Sequence, residues 1–232
     1  MLKNLQTEVK KAGSPKRAKA AARYFKTGVG EYGFGDVFLG LSNPDCRKIA
    51  LRYNGLSLDE IGVLLRSEIH EERLIALLIL VYQFEHDEML ERRIYEFYLK
   101  NTKFVNNWDL VDLSAPKIVG GYLNDKPKVA LNKLAKSENL WERRIAILST
   151  FHFIKNNEFS HSLLIAEELI ADKEDLIQKA LGWMLREIGK KDQETEIRFL
   201  NNHYKNMDRV ALRYAIEKFP EKLRFKYLQG KV

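Results

Sequence analysis

Trp108 and Asp112, in the segment Asn106-Asn107-Trp108-Asp109-Leu110-Val111-Asp112, are the residues of this 232-residue chain whose types and spacing point most directly to chemistry. Four residues make about one helical turn, so on a helix both side chains share a face. An aromatic surface beside a fixed negative charge suits a cationic ligand, or a reaction in which positive charge develops. The structural alternative is equally available: a tryptophan on an amphipathic helix is usually core, and an aspartate beside it is often a cap. By itself the pair decides nothing. Two further segments carry residues of the same kind. Trp141-Glu142-Arg143-Arg144 opens a helical stretch with two arginines, and Ala180-Leu181-Gly182-Trp183-Met184-Leu185-Arg186 sets a tryptophan directly after a glycine. Glycine inside a helix costs about 1 kcal/mol relative to alanine, so Gly182 is expected to serve a purpose such as close helix packing.

The elements that must position these residues are helices. Ser14-Pro15 and Asn43-Pro44 each offer a capping side chain followed by proline at the first helical position. Ser57-Leu58-Asp59-Glu60 is a capping box opening an apolar run. Helical periodicity then covers His70–Phe84, Trp108–Tyr122, Trp141–Lys155, Leu176–Lys190 and Arg209–Phe219, and no segment alternates as a strand would. The helices also repeat: Glu72-Arg73-Leu74-Ile75-Ala76-Leu77-Leu78 resembles Glu142-Arg143-Arg144-Ile145-Ala146-Ile147-Leu148. Equivalent small or β-branched positions fall at 76, 111, 146, 180 and 211, separated by 35, 35, 34 and 31 residues. That period fits one helical hairpin per repeat, so the expectation is an all-α, HEAT-like helical-repeat solenoid, an α-α superhelix over residues 1–232 as a single domain with a concave basic groove. The tetratricopeptide and ankyrin signature residues are missing. Such a surface can follow a duplex backbone or serve as a protein scaffold, and architecture does not choose between them.

Composition narrows the classes. With 45% hydrophobic and 31% charged residues the chain reads as globular. Its longest apolar run, Leu74 to Tyr82, is far short of a membrane span. The first residues show no secretory pattern, and Cys46 is the only cysteine, so a cytoplasmic protein without an internal disulfide or a cysteine-rich zinc site is expected. Net charge is +7 and both ends are basic: residues 1–26 carry eight cations against the single acid Glu8. That tilts the reading toward nucleic acid, against the plainer alternative of solvated helix surfaces.

Several enzyme motifs fail. Gly28-Val29-Gly30-Glu31-Tyr32-Gly33 has dinucleotide-binding spacing but follows the helical Ala20–Lys26 segment rather than a strand, so a flexible glycine loop is expected. The five histidines show no paired metal spacing, and no nucleophile-elbow or Walker segment is present.

Taken in order, Asn107 to Asp112, Trp141 to Leu148 and Ile177 to Glu187 resemble the three signature blocks of the AlkD family, bacterial alkylpurine DNA glycosylases built from HEAT-like repeats. Ala22 to Lys26 and Phe38 to Pro44 are similar to its N-terminal blocks, and the resemblance runs from about residue 5 to about residue 220. It implies that Asp112 stands at the catalytic carboxylate, that Trp108 and Trp183 flank the lesion nucleotide, and that Arg144 holds the DNA backbone near it. Tyr24, Arg143, Lys179 and Arg186 are then expected at the DNA surface. Two departures stand out: Asn107, where the family often has a second tryptophan, and Glu31–Asp36, which reads as an extra loop.

The resemblance further implies hydrolysis of the N-glycosidic bond of cationic N3- or N7-alkylated purines in duplex DNA, with no cofactor and no metal. A nucleoid-associated cytoplasmic monomer with no membrane partner is expected. Alternatives are a relative that binds DNA without catalysis, and a protein-interaction scaffold.

Overall fold

The computed structural model describes residues 1–232, and its regular elements are helices. Its one β-type pairing is an isolated bridge between Val37 and Ile69. No helix is long and apolar enough to cross a membrane. The chain packs as two compact units, Met1–Ser114 and Ala115–Val232.

The first unit contains α1 (Leu2–Lys11), α2 (Pro15–Tyr24), α3 (Asn43–Arg52), α4 (Leu58–Leu65), α5 (His70–His86), α6 (Glu91–Lys100) and most of α7 (Trp108–Ala115). At its centre is α5, on which α1, α3, α4 and α6 pack. From Leu74 to Val81 this helix is apolar on every side and buried on every side, as a helix without a polar face must be. α4 starts at the expected capping box: the Ser57 backbone N–H donates to Glu60 Oε2 (3.0 Å), and Glu60 N–H donates to Ser57 Oγ (3.3 Å). α3 begins one residue earlier than Asn43-Pro44 suggested. Ser42 is its cap, closed into a box by Asp45, because an acid three residues on can answer a Ser42 cap whereas Cys46 cannot answer an Asn43 one.

The second unit contains α8 (Val129–Ala135), α9 (Leu140–Lys155), α10 (Ser160–Leu169), α11 (Asp175–Gly189), α12 (Gln193–His203), α13 (Arg209–Ala215) and α14 (Glu221–Gln229). Here α9 and α11 play the central part; α8 and α10 pack on α9, and α12 and α13 on α11. The helix expected over Trp108–Tyr122 is interrupted by a π turn at Pro116–Gly120. Proline has no N–H for the carbonyl four residues back, and its ring pushes that carbonyl aside. Likewise the Arg209–Phe219 stretch tightens into a 3-10 turn at Ile216–Lys218.

The internal repeat has a physical basis. Ala76, Val111, Ala146, Ala180 and Ala211 are all buried. Three residues spaced by 70 and 35 do the same job at the start of their helices. Arg73 donates to the carbonyls of Ser67 and Glu68, Arg143 to those of Ser137 and Glu138, and Gln178 to those of Leu169, Ile170 and Asp172. Each side chain thus satisfies carbonyls of the connection before it, which otherwise would be left without donors. Gly182 meets its expectation: a Cβ there would lie 2.3 Å from Ala211 O and 2.6 Å from Tyr214 Cβ, so α11 and α13 touch through bare backbone.

Candidate functional site

In the first unit, Trp108 and Asp112 share the open stripe of α7, both half-buried, while Asp109, Leu110, Val111, Ser114 and Ala115 face inward and are buried. The spacing of four therefore places both residues where a ligand can reach them. α7 is pinned to α6 through the buried Tyr98 hydroxyl, 2.9 Å from Ser114 Oγ, which in turn donates to Leu110 O. Burial pushes the Tyr98 phenol up, and the negative charge of Asp112 adds to the rise.

Trp108 is held on three sides. Phe25 stacks on one indole face (centroids 5.2 Å apart, planes at 16°), Tyr24 meets its edge (5.9 Å, 77°), and the Tyr32 hydroxyl lies near enough for the indole to offset part of the rise that burial gives the phenol pKa. Tyr24, named from the resemblance, is exposed and completes α2. Tyr32 comes from the glycine loop. That loop folds back in tight turns: Gly33 N–H donates to Lys26 O at 3.0 Å, a Cβ at Gly33 would sit 2.3 Å from Phe25 O, and Gly30 and Gly35 have φ of 81° and 91°. Its glycines serve chain reversal, and no strand precedes it.

Behind Trp108 lies a buried polar network that spacing alone does not reveal. His70, the first residue of α5, places Nδ1 3.1 Å from Asp36 Oδ2 and Nε2 2.8 Å from Asp109 Oδ2. Arg73 pairs with Asp36 Oδ1 at 2.7 Å. Asn107, wholly buried, donates from Nδ2 to Asp36 Oδ2 (3.3 Å) and accepts the Trp108 backbone N–H on Oδ1 (2.8 Å). The two departures noted in the sequence are thus one device: the loop ends in the carboxylate that Asn107 binds. A tryptophan at 107 has no acceptor for the Trp108 backbone N–H, because its indole N–H only donates. Burial works against charge at both His70 and Asp36. The hydrogen bonds that His70 gives to Asp109 and Asp36 nonetheless raise its pKa, and His70 and Arg73 together lower that of Asp36. Elsewhere in this unit burial raises the Cys46 thiol to about 12, so the lone cysteine carries no thiolate at neutral pH.

In the second unit, the open stripe of α11 carries Lys179, Trp183 and Arg186 at helical spacing, all half-buried. Trp183 Nε1 donates to Glu187 Oε1 (3.0 Å), and the ring lies 5.8 Å from Phe151. Lys179 pairs with Asp175 at 2.6 Å and Arg186 with Glu217. Exposed pairs of this kind are worth only about 0.2–1 kcal/mol, so exchange of the carboxylate for a phosphate costs little. Arg144 is buried in α9 and donates to the Leu176 carbonyl at the start of α11. Arg143 is committed to the protein: beyond its two carbonyls, Nε pairs with Asp172 at 2.6 Å. Its visible work is to hold the turn that starts α9, next to Arg144.

Sequence reasoning passed over Phe25, Tyr32, Asp36 and His70. Tyr32 and Asp36 lay in the irregular loop, Phe25 in the N-terminal block Ala22 to Lys26, and His70 at the head of an expected helix, but no spacing joined them.

The sequence model of a family described as DNA alkylation repair enzyme matches residues 5–219. No curated protein matches the chain in sequence. Among solved structures, one described as a predicted DNA alkylation repair enzyme from Enterococcus faecalis superposes with a TM-score of 0.69 at 17% identity, covering 90% of this chain and 97% of that one. Another, described as AlkD2 from Streptococcus mutans, gives a TM-score of 0.59 at 19% identity over 88% and 98% of the two chains. These likenesses show a shared fold.

Proposed function

Because the chain belongs to the family of DNA alkylation repair enzymes, we propose that it is a monofunctional DNA glycosylase that releases N3- or N7-alkylated purines from duplex DNA. The observation that carries this reading is the α7 stripe: an indole with a fixed pose and a carboxylate one turn on, both half-open on a helix whose other residues, Leu113 apart, are buried.

Alkylation at N3 or N7 leaves the purine cationic, so it departs readily without a strong general acid. When the C1′–N bond breaks, its electron pair leaves with the base, which becomes neutral, and positive charge collects on the deoxyribose as in other glycosyl transfers. Asp112 stabilises that charge and orients the water that adds to C1′, losing its proton to yield an abasic site. Trp108 offers the indole face opposite Phe25 to the cationic nucleotide, and Trp183 does the same from α11; such contacts contribute about 0.5–2 kcal/mol each. The resemblance gives Arg144 a backbone phosphate; buried and donating to the Leu176 carbonyl, its guanidinium has to turn outward to reach one. Tyr24, Lys179 and Arg186 contact the DNA surface, and Arg143 acts through the α9 turn it holds.

The test is direct. Incubated with methylated duplex, the protein should release free 7-methylguanine. Asp112→Asn should lower the rate by roughly 10²–10³-fold, the order seen when a preorganised electrostatic group is removed, while duplex binding persists. Release that is indifferent to Asp112→Asn refutes the assignment. A parent protein that binds duplex and never yields an abasic product is a DNA-binding relative without catalysis.

A further inference from the structure

α2 does no packing work commensurate with its order. None of its residues is buried. It is fixed instead through backbone and through its ends. Ser14 N–H donates to Leu39 O at 2.7 Å, and Gly40, with φ of 84°, comes so close that a Cβ would lie 2.4 Å from Ser14 O and 2.5 Å from Ala18 N. The Leu39–Leu41 strip is itself held by the buried carboxylate of Glu71, which accepts all three backbone N–H groups. At the other end Phe25 stacks on Phe38 and on Trp108.

The outer face is then left unused by the fold, and its chemistry is uniform. Lys16, Lys19 and Arg23 recur at i, i+3 and i+7 on α2, and Lys26 follows just past its end with φ of 53°; all four are exposed. At about 1.5 Å per residue the three on the helix form a row roughly 10 Å long, which Lys26 continues from the turn. The helix contains no acid. Lys16, Lys19 and Arg23 make no ion pair, and Lys26 lies 5.9 Å over the Tyr32 ring; the one pair on α2 is Arg17 with Asp45, off this row. A solvated face ordinarily mixes signs, because like charges three and four residues apart repel. Apart from the exposed Tyr24 at its end, the apolar residues of α2 are alanines and Pro15, and a single tyrosine is too little to anchor a helix in a lipid surface.

We propose that α2 is a rail for a nucleic-acid backbone, with Lys16, Lys19, Arg23 and Lys26 binding successive phosphates of duplex DNA, undamaged duplex included. The row ends at Tyr24 and Phe25, against Trp108, so it leads to the open stripe of α7. This inference rests on the reading of DNA as the partner. It is tested by binding alone, so its result is separate from that of the base-release assay.

The experiment measures fluorescence anisotropy of an undamaged duplex titrated with full-length protein across a salt series. Each phosphate contact contributes about 0.9 to the slope of log K against log salt. The variant K16Q/K19Q/R23Q/K26Q should therefore flatten the slope by about 3–4. The single variants Lys19→Gln and Arg23→Gln should each flatten it by about 0.9, which keeps the test valid if the quadruple variant folds poorly. K222Q/R224Q/K226Q/K231Q removes the same net charge at the other end of the chain and should leave the slope near that of the parent. Equal flattening in both quadruple variants reduces the effect to bulk charge and overturns the rail, as does an unchanged slope in the α2 variants. Parent binding to phosphatidylserine/phosphatidylcholine vesicles that is lost in the α2 variant, with the DNA slope unchanged, assigns the face to lipid and overturns it too.

Discussion

Replacing Gly182 by alanine should destabilise this protein, although alanine is the better helix former. The Cβ it adds would lie 2.3 Å from Ala211 O, 2.6 Å from Tyr214 Cβ and 3.0 Å from Ala211 C. None of these atoms can rotate away, so α11 and α13 must part by roughly 1 Å to reach ordinary contact. A gap of 0.5–1 Å forfeits about a quarter to a half of the dispersion well for each contact along the seam. That seam includes Leu181, Leu185, Ala211, Leu212 and Ala215, all buried. Overpacking of this kind costs about 1–3 kcal/mol, here at the upper end because the obstacles are backbone. Helix propensity returns about 1 kcal/mol. The net loss is about 2 kcal/mol, a fall in melting temperature of roughly 4–8 °C for a chain of this size. Gly62 is the control. It is also buried inside a helix, but its added Cβ would meet the Arg66 guanidinium at 3.3 and 3.4 Å and Phe97 Cζ at 3.5 Å, groups at the ends of side chains that can yield. Gly62→Ala should keep the propensity gain and stabilise by about 0.4–1 kcal/mol. Calorimetric melting of both variants beside the parent gives the comparison. Gly182→Ala melting at or above the parent, or the two substitutions shifting the midpoint in the same direction, refutes the packing argument.

Other outcomes follow from the buried groups. His70→Gln leaves Asp36 and Asp109 facing each other without the imidazolium, and at pH 6 should cost about 3–5 kcal/mol by denaturant titration. Because the folded pKa of His70 is raised, its contribution is complete below the unfolded value of 6.5 and is lost as pH rises through the folded one. The gap between variant and parent should therefore narrow as pH rises above neutrality, and a gap constant with pH contradicts the network. Glu196 is buried in the second unit, and a Cβ at Gly189 would strike its carboxyl; burial raises its pKa from 4.5 to about 8, against the pull of Arg186. Between those values the folded state holds a proton that the unfolded state lacks, so stability should fall by up to about 1.4 kcal/mol per pH unit, then level off above pH 8. Glu196→Gln should flatten that decline, and an unaltered pH profile rules the group out. Asn107→Ala removes the amide that joins Asp36 to the Trp108 backbone; a loss of about 1–3 kcal/mol is expected, and a stability equal to the parent's would show the contact to be idle.

The helices were legible because what makes them is local. Capping boxes close over three residues, and periodicity is read within two turns, so α4, α5, α9 and α11 fall where the pattern put them. Gly182 announced a close approach because a helix bears its cost only for a reason. The stripes of α7 and α11 were also in reach, since spacing of three and four fixes which side chains share a face, and burial of the remainder leaves those faces open. Where the local signal was double, as with Ser42 and Asn43, the choice fell to Asp45, and where proline entered a periodic stretch the helix widened at Pro116.

The setting of Trp108 was decided otherwise. Asp36 and His70 stand 34 residues apart and His70 and Asp109 39, so no window of sequence holds them together. They meet because α5 and α7 start beside the returning end of one loop. A buried charge is tolerable only where its partners already wait. That condition belongs to packed chain rather than to any segment of it. Residue types told which groups were able to do chemistry; the fold chose which indole face is covered by Phe25, which edge is met by Tyr24, and which carboxylates stay inside.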